Sequence, residues 1–269
     1  QGGPKLEATG FFRALKHEGK WWLVDPEGHL FFSHGVDCVT PYEGATRLTE
    51  REHWFRDLPA VDGEFKACYG QAGGAVNGYY VGKTSRTFDF ARANLRRKYG
   101  ADYAAPFSDV CHRRLRSWGL NTIANWSDAA IYLQRRTPYV VSLWYAKPAL
   151  AGSEGYWGKF PDVFDPQFAA SIQKRVAQEV GKSANDPWCL GYFVDNELSW
   201  GEDTSLAVAA LMSPPEQVAK QVFVADLRAK YVNIEQLNMA WGTQYVSWDE
   251  VLAARQAPDK AKAAADLRA

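Results

Sequence analysis

Trp188-Cys189-Leu190-Gly191-Tyr192-Phe193-Val194-Asp195-Asn196-Glu197 is the stretch on which the fold turns. A short, unbroken apolar run of this kind reads as a strand buried on both faces of a parallel sheet. It ends abruptly in two carboxylates and an amide, groups that are costly to bury unpaired. The strand therefore surfaces at Asp195. Upstream, Asp186-Pro187 breaks the chain. A helix over 165–182 opens at Asp165-Pro166, with Asp as the cap and Pro at the first helical position. Residues 30–36, 120–126 and 139–145 read as three earlier strands of the same type. Helices over 89–99 and 108–118, stopped by Gly100 and Gly119, and a short one over 128–135 lie between them. Strands alternating with helical crossovers pair in parallel. The expected fold is α/β, a (β/α)8 TIM barrel of which this chain supplies about the first four βα units, where a closed barrel needs eight.

The flanks complete the organisation. Residues 10–16 and 21–25 read as strands joined by the turn His17-Glu18-Gly19-Lys20, so residues 1–29 form an N-terminal β-hairpin extension. Residues 30–269 are then the N-terminal half of the barrel. A long insertion at about 41–87 is rich in Gly, Pro and polar residues, and only 50–57 looks helical. Such a segment is either disordered or functional. Its aromatics Trp54, Phe55, Tyr69, Tyr79 and Tyr80 favour an ordered lid or cleft wall. Beyond Glu197, helices are expected near 215–230, 234–241 and 248–254. The Ala-rich 261–269 has a helical pattern that stops without a cap, which reads as a severed chain.

Composition narrows the function. Lys+Arg and Asp+Glu are both 31, giving zero formal net charge, which argues against nucleic-acid binding. No apolar run reaches the length of a membrane span. The chain opens at Gln1, so any signal peptide would already be gone, and a secreted or periplasmic location is expected. None of the four cysteines has metal-type spacing, and no metal or cofactor is expected. Cys38 and Cys189 fall in apolar strand patterns and read as buried free thiols, with one disulfide as the alternative in an exported protein. The 11 Trp, 13 Tyr and 14 Phe suit stacking on the C–H faces of sugar rings, and an aromatic core is the competing reading.

In barrels of this kind, catalytic groups stand at the C-terminal ends of strands. The four expected ends are His34-Gly35-Val36-Asp37, Asn125-Trp126, Trp144-Tyr145 and Asp195-Asn196-Glu197, each polar or aromatic. Cleaving a glycoside needs one carboxylic acid to protonate the leaving oxygen and a second carboxylate. Glu197 is the candidate acid/base; its competing role is that of an acid at a helix start. His34 is either a hydroxyl ligand or a satisfied core histidine, and Asp37 supports it or caps a turn. Asn125 offers a polar contact. Trp126, Trp144 and Trp200 are candidate stacking surfaces or packing residues.

Several segments resemble glycoside hydrolase family 50, the β-agarases. They are Trp21-Trp22-Leu23-Val24-Asp25-Pro26-Glu27-Gly28-His29, Phe31-Phe32-Ser33-His34-Gly35-Val36, Gly119-Leu120-Asn121-Thr122, and residues 191–200 around Asp195-Asn196-Glu197. Leu237-Asn238, Ala240-Trp241-Gly242-Thr243 and Ser247-Trp248 follow in order. A near relative in the same clan, the family 42 β-galactosidases, is the other match. The resemblance implies a retaining double displacement on an agarose-like β-galactan, with Glu197 as acid/base and Asn196 bonding the sugar 2-hydroxyl. It also implies a nucleophilic Glu at the end of strand seven, which no residue here matches. The barrel would then be completed by a second chain or a cleaved C-terminal half. The alternatives are a non-catalytic carbohydrate-binding half-barrel and a β-glycosidase of the clan with another sugar specificity.

Overall fold

The computed structural model describes residues 3–268. Gln1, Gly2 and Ala269, at the ends of the expected extension and Ala-rich helix, lie outside the described residues. The chain divides into two units, one running to Leu143 and taking in Glu179–Val194, the other Trp144–Gln178 and the residues from Asp195 onward.

The first unit begins with an antiparallel sheet of β1 (Arg13–His17), β2 (Lys20–Val24) and β3 (Leu30–Phe31). β4 (Gly35–Val36) follows. The apolar run at 30–36, expected as one strand, is thus two. Phe31 pairs with β2 and meets Phe12 edge-on at 5.0 Å, while β4 pairs in parallel with a later strand. The switch is fixed at Gly35, where an added Cβ would stand 2.0 Å from the Thr122 carbonyl oxygen. Only glycine permits that approach.

The insertion is ordered. β5 (Ala45–Arg47), β6 (Tyr69–Ala72) and β7 (Ser85–Asp89) form an antiparallel sheet of order β5-β7-β6 over a core of Leu48, Cys68, Phe88 and Ala93. The helix expected over 50–57 is only a 3-10 turn, Glu52–Trp54. α1 (Phe90–Tyr99) starts where Asp89 accepts from the Arg92 N–H at 2.9 Å, and Gly100 (φ 81°) ends it. α2 (Ala104–Ser117), β8 (Thr122–Ile123), α3 (Ala129–Tyr132) and β9 (Tyr139–Leu143) follow. α4 (Pro166–Ala177), in the second unit, is capped by Asp165 with Pro166 at its first turn. β10 (Cys189–Val194) returns to the first unit.

β4, β8, β9 and β10 lie side by side in chain order, every pair parallel. Their core is Leu115, Ile123, Ile131, Tyr139, Val141 and Leu143, with Cys111. Burial pushes the Cys111 thiol up to about 11, so it stays protonated and acts as packing. Cys38 departs from its expected place: it follows β4, is exposed and has φ 54°. All four cysteines are free.

The second unit is helical from residue 205 on: α5 (Ser205–Met212), α6 (Val218–Tyr231), α7 (Ile234–Trp241), α8 (Trp248–Ala253) and α9 (Ala264–Leu267). Their core includes Leu211, Leu227, Leu237, Trp241, Val251 and Leu267. Asp266 is buried among them. It accepts from the Trp241 indole N–H at 2.6 Å, from the Tyr231 hydroxyl at 2.8 Å and from the Lys230 ammonium at 2.5 Å. Burial opposes its charge, but these three donors outweigh burial and hold its carboxyl below the usual range.

A carboxyl with a lowered folded pKa contributes stability above its unfolded pKa of about 4 and loses it as pH falls through the folded value. Asp266→Asn should therefore flatten the loss of stability between neutral pH and about pH 2. Asp266→Ala, which strands the indole and hydroxyl donors, should cost roughly 2–3 kcal/mol at neutral pH. Denaturant unfolding across that range checks both, and an unchanged acid limb in Asp266→Asn would remove the linkage.

Candidate active site

The expected site residues fall in both units, and each group is described within its own unit. In the first unit, Asp37 follows β4 and is exposed. His34 stands at the start of β4 rather than its end: its N–H donates to Asn121 Oδ1 at 2.8 Å and its carbonyl accepts from the Asn121 N–H at 2.7 Å. Asn125 is buried, its side chain hydrogen-bonded to Ser142 and its carbonyl accepting from the Cys38 N–H at 2.8 Å. The Trp126 N–H donates to Ser142 Oγ at 3.1 Å, and the indole stays partly exposed. Ser142 thus ties the end of β8 to β9.

The second unit holds the residues that follow β9 and β10. Asp195, the first after β10, is nearly buried. It forms an ion pair with Lys147 and accepts from the Tyr145 hydroxyl at 2.6 Å. Burial pushes the Lys147 ammonium down and the Tyr145 hydroxyl up, so the phenol keeps the proton it donates. The Tyr145 ring meets Phe168 edge-on at 5.8 Å. Asn196 is half-buried, and its side chain has no hydrogen-bond partner among the described residues. Glu197 is exposed and accepts from the Trp157 indole N–H at 2.5 Å.

The loop carrying Trp157 is fitted against the segment after Glu197. An added Cβ at Gly155 would stand 1.9 Å from Ser199 Oγ. Phe160 packs edge-on against Trp200 with ring centroids 4.8 Å apart. Three contacts thus run in parallel between 155–160 and 197–200. Trp144 and Trp200 are exposed at 56% and 61%, as open as the Tyr156–Trp157 pair at 61% and 59%. Large apolar rings left in water in such number form a surface of the kind that is covered by a ligand or by other protein.

The backbone here is strained as well. Cys38 (φ 54°), Trp126 (φ 57°), Asp195 (φ 63°) and Glu197 (φ 49°) all adopt left-handed conformations without being glycine. Each costs on the order of 1–3 kcal/mol, and Glu18, Glu50, Asp57, Arg135, Asn185 and Val232 adopt the same conformation away from these strand ends. The sequence named Glu197, Asn196, Trp144 and Trp200 as candidates, and it did not name Lys147, or Trp157 as a donor to Glu197. A buried Asp195 requires a cation, and Lys147 is the first one after β9, so the signal was present. Nothing in the sequence pairs Trp157 with Glu197. Among the described residues, no group of three or more His, Cys, Asp or Glu is arranged to hold a metal ion, and no helix is long and apolar enough to cross a membrane.

No family model matches the chain. It is 37% identical to β-agarase B of Vibrio sp. (strain JT0107) over 280 aligned positions, covering 92% of this chain and 29% of that protein. It is 32% identical to β-agarase A of the same organism over 299 positions, 98% of this chain and 28% of that one. The crystal structure of the agarase AgWH50C matches with a TM-score of 0.86 and 30% identity, covering 99% of this chain and 42% of that one. The fold is thus the α/β fold of solved agarase structures. The chain is homologous over nearly all its length to β-agarases, which are glycoside hydrolases, and its structural neighbours are agarases of glycoside hydrolase family 50. It spans less than a third of the curated relatives it matches.

Lys147→Met should destabilise the second unit by roughly 1–3 kcal/mol, because it strands the Asp195 carboxylate. Adding Asp195→Asn should restore part of the loss. Urea unfolding of the single and double variants measures this; strict additivity of the two changes would contradict the pairing.

Proposed function

We propose that residues 30–269 are the first half of a (β/α)8 barrel in a retaining glycoside hydrolase that cleaves β-linked galactan of the agarose type. Residues 1–29 form its N-terminal hairpin extension. The observation that carries the reading is Glu197. Its carboxylate is exposed just beyond a parallel strand, on a left-handed backbone, with one indole N–H to orient it. A group that must first give and then take a proton needs such access and a fixed direction. Glu197 protonates the glycosidic oxygen as the sugar leaves, then removes a proton from the water that releases the glycosyl-enzyme. The unpartnered Asn196 amide bonds the sugar 2-hydroxyl. Trp144 and Trp200 stack on sugar rings, while Asn125, Trp126 and Asp37 contribute from beyond the earlier strands and His34 from the start of β4. The double displacement requires no metal or cofactor.

The nucleophile in this reading lies on a later strand, outside the residues described, supplied by a C-terminal half or a second chain. The sheet supports the need for more strands. β10 is at its edge, and Tyr192, Phe193 and Val194 are 41–52% exposed. An apolar edge strand in water invites pairing. Agarose is a gel-forming polymer, so an enzyme acting on it works outside the cytoplasm.

In the complete enzyme, Glu197→Gln should lower turnover of agaro-oligosaccharides by roughly 10²–10⁴-fold while oligosaccharide binding persists. Reducing-end release and calorimetry report the two quantities. Undiminished turnover would sink the assignment, and binding without turnover in the unaltered protein would favour a non-catalytic module. Trp157→Phe, which keeps the ring and loses the N–H, should lower kcat roughly ten-fold with little change in KM. An equal rise in KM with kcat intact would make Trp157 a binding residue instead.

A further inference from the structure

The ordered insertion carries a surface feature that its fold does not require. Thr49, Glu50, Arg51, Trp54, Tyr79 and Tyr80 line an open cavity of about 330 Å³, at the small end of ligand pockets. None belongs to the core of Leu48, Cys68, Phe88 and Ala93 on which this sheet packs. Trp54 is 68% exposed and Tyr79 59%.

The rings are nevertheless held in place. The Arg51 guanidinium lies 5.5 Å from the Trp54 ring and 5.6 Å from the Tyr80 ring, and its Nε donates to the Arg47 carbonyl at 2.6 Å. Arg47 in turn donates to the Ala72 and Gly73 carbonyls at 2.7 and 3.0 Å and stands 5.3 Å from Tyr80. The Tyr80 hydroxyl donates to the Thr49 carbonyl at 2.7 Å. Tyr79 meets Tyr80 edge-on at 5.2 Å and has the Lys83 ammonium 3.5 Å from its ring. Cations against aromatic rings stabilise such a cluster. Two exposed rings are thus fixed before any ligand arrives, which lowers the entropy cost of binding.

The polar groups on the lining choose the ligand. Glu50 is exposed on a left-handed backbone (φ 67°), and its carboxylate has no partner among the described residues. Arg51 uses only its Nε in the hydrogen bonds it makes, so both terminal nitrogens remain as donors. The lining therefore presents an acceptor for hydroxyls, a fork of donors and two apolar ring surfaces. On the lining Glu50 offsets Arg51, and the two neighbouring cations are already engaged, Arg47 with the Ala72 and Gly73 carbonyls and Lys83 with the Tyr79 ring. A neutral hexose meets all the conditions, with C–H faces for the rings and vicinal hydroxyls for Glu50 and Arg51. From this geometry we infer that the insertion holds a sugar-binding platform for a neutral polysaccharide chain, built on Trp54 and Tyr79 with Glu50 and Arg51. The inference rests on the polysaccharide reading above and adds a site to it that performs no chemistry.

Native gel electrophoresis with and without agarose in the gel tests it. The unaltered chain should be retarded by agarose. Trp54→Ala/Tyr79→Ala should lose most of that retardation, with apparent affinity weakened roughly five-fold or more, and Trp54→Phe should keep most of it. Circular dichroism and the thermal midpoint should match the unaltered chain, since neither ring is in the core. If the chain is retarded and the double variant is retarded equally, the platform is overturned and the polysaccharide reading stands. If agarose retards neither, both fail.

Discussion

Parallel strand pairing is the constraint on which the rest depends. Two parallel neighbours cannot be joined by a tight turn, so each connection must cross over and return to the starting edge. With β4, β8, β9 and β10 paired in that way, every strand ends at the same edge of the sheet. Asp37, Trp144 and Asp195 each follow directly on one of these strands, and Trp126 lies just beyond another. The register is set by backbone fit as well as by apolar matching. Gly35 presses on the Thr122 carbonyl, and the β9–β10 ladder shifts between Cys189 and Gly191.

Cys38, Trp126, Asp195 and Glu197 are left-handed residues just beyond the parallel strands, and the first three lie within local networks. Left-handed Cys38 donates its N–H to the Asn125 carbonyl, and left-handed Trp126 donates its own to Ser142. Left-handed Asp195 has Lys147 and the Tyr145 hydroxyl. Strain of this kind persists only where surrounding contacts over-determine it. Glu197 is the exception, strained but held by a single donor from a loop. The loop itself is anchored on either side of that donor, by Gly155 against Ser199 and Phe160 against Trp200.

What was legible in the sequence followed from local rules. The Asp165-Pro166 helix start, the Gly100 stop and the apolar run ending at Asp195 depend on neighbours within a few residues, and they stand where expected. Three features depended on distant partners and were lost. Residues 30–36 look like one strand because apolarity alone does not say which sheet a residue joins. The insertion looked irregular because β5, β6 and β7 are short and pair across long gaps. α5 showed no amphipathic period because Ser205–Met212 is apolar nearly all round, although only Ala209, Ala210 and Leu211 are buried. In the site, residue types at strand ends were legible, but not the contacts that separate a structural group from a chemical one.

Asp195 and Glu197 make that last point concrete. They are two carboxylates of one tripeptide, and from sequence either could be the acid. Environment sorts them. Asp195 is drawn inward, paired with Lys147 and bonded by Tyr145, so each of its oxygens already accepts a bond. A carboxylate in that state has little left to exchange a proton with a substrate. Its use is to pin the chain where β10 ends and so to aim what comes next. Two residues on, Glu197 keeps one oxygen free and stands in the open. Pairs of titratable groups pushed into unlike surroundings take unlike roles. In the proposed role for Glu197 the buried partner supplies direction, because a carboxylate at the tip of an unanchored loop would have reach without it.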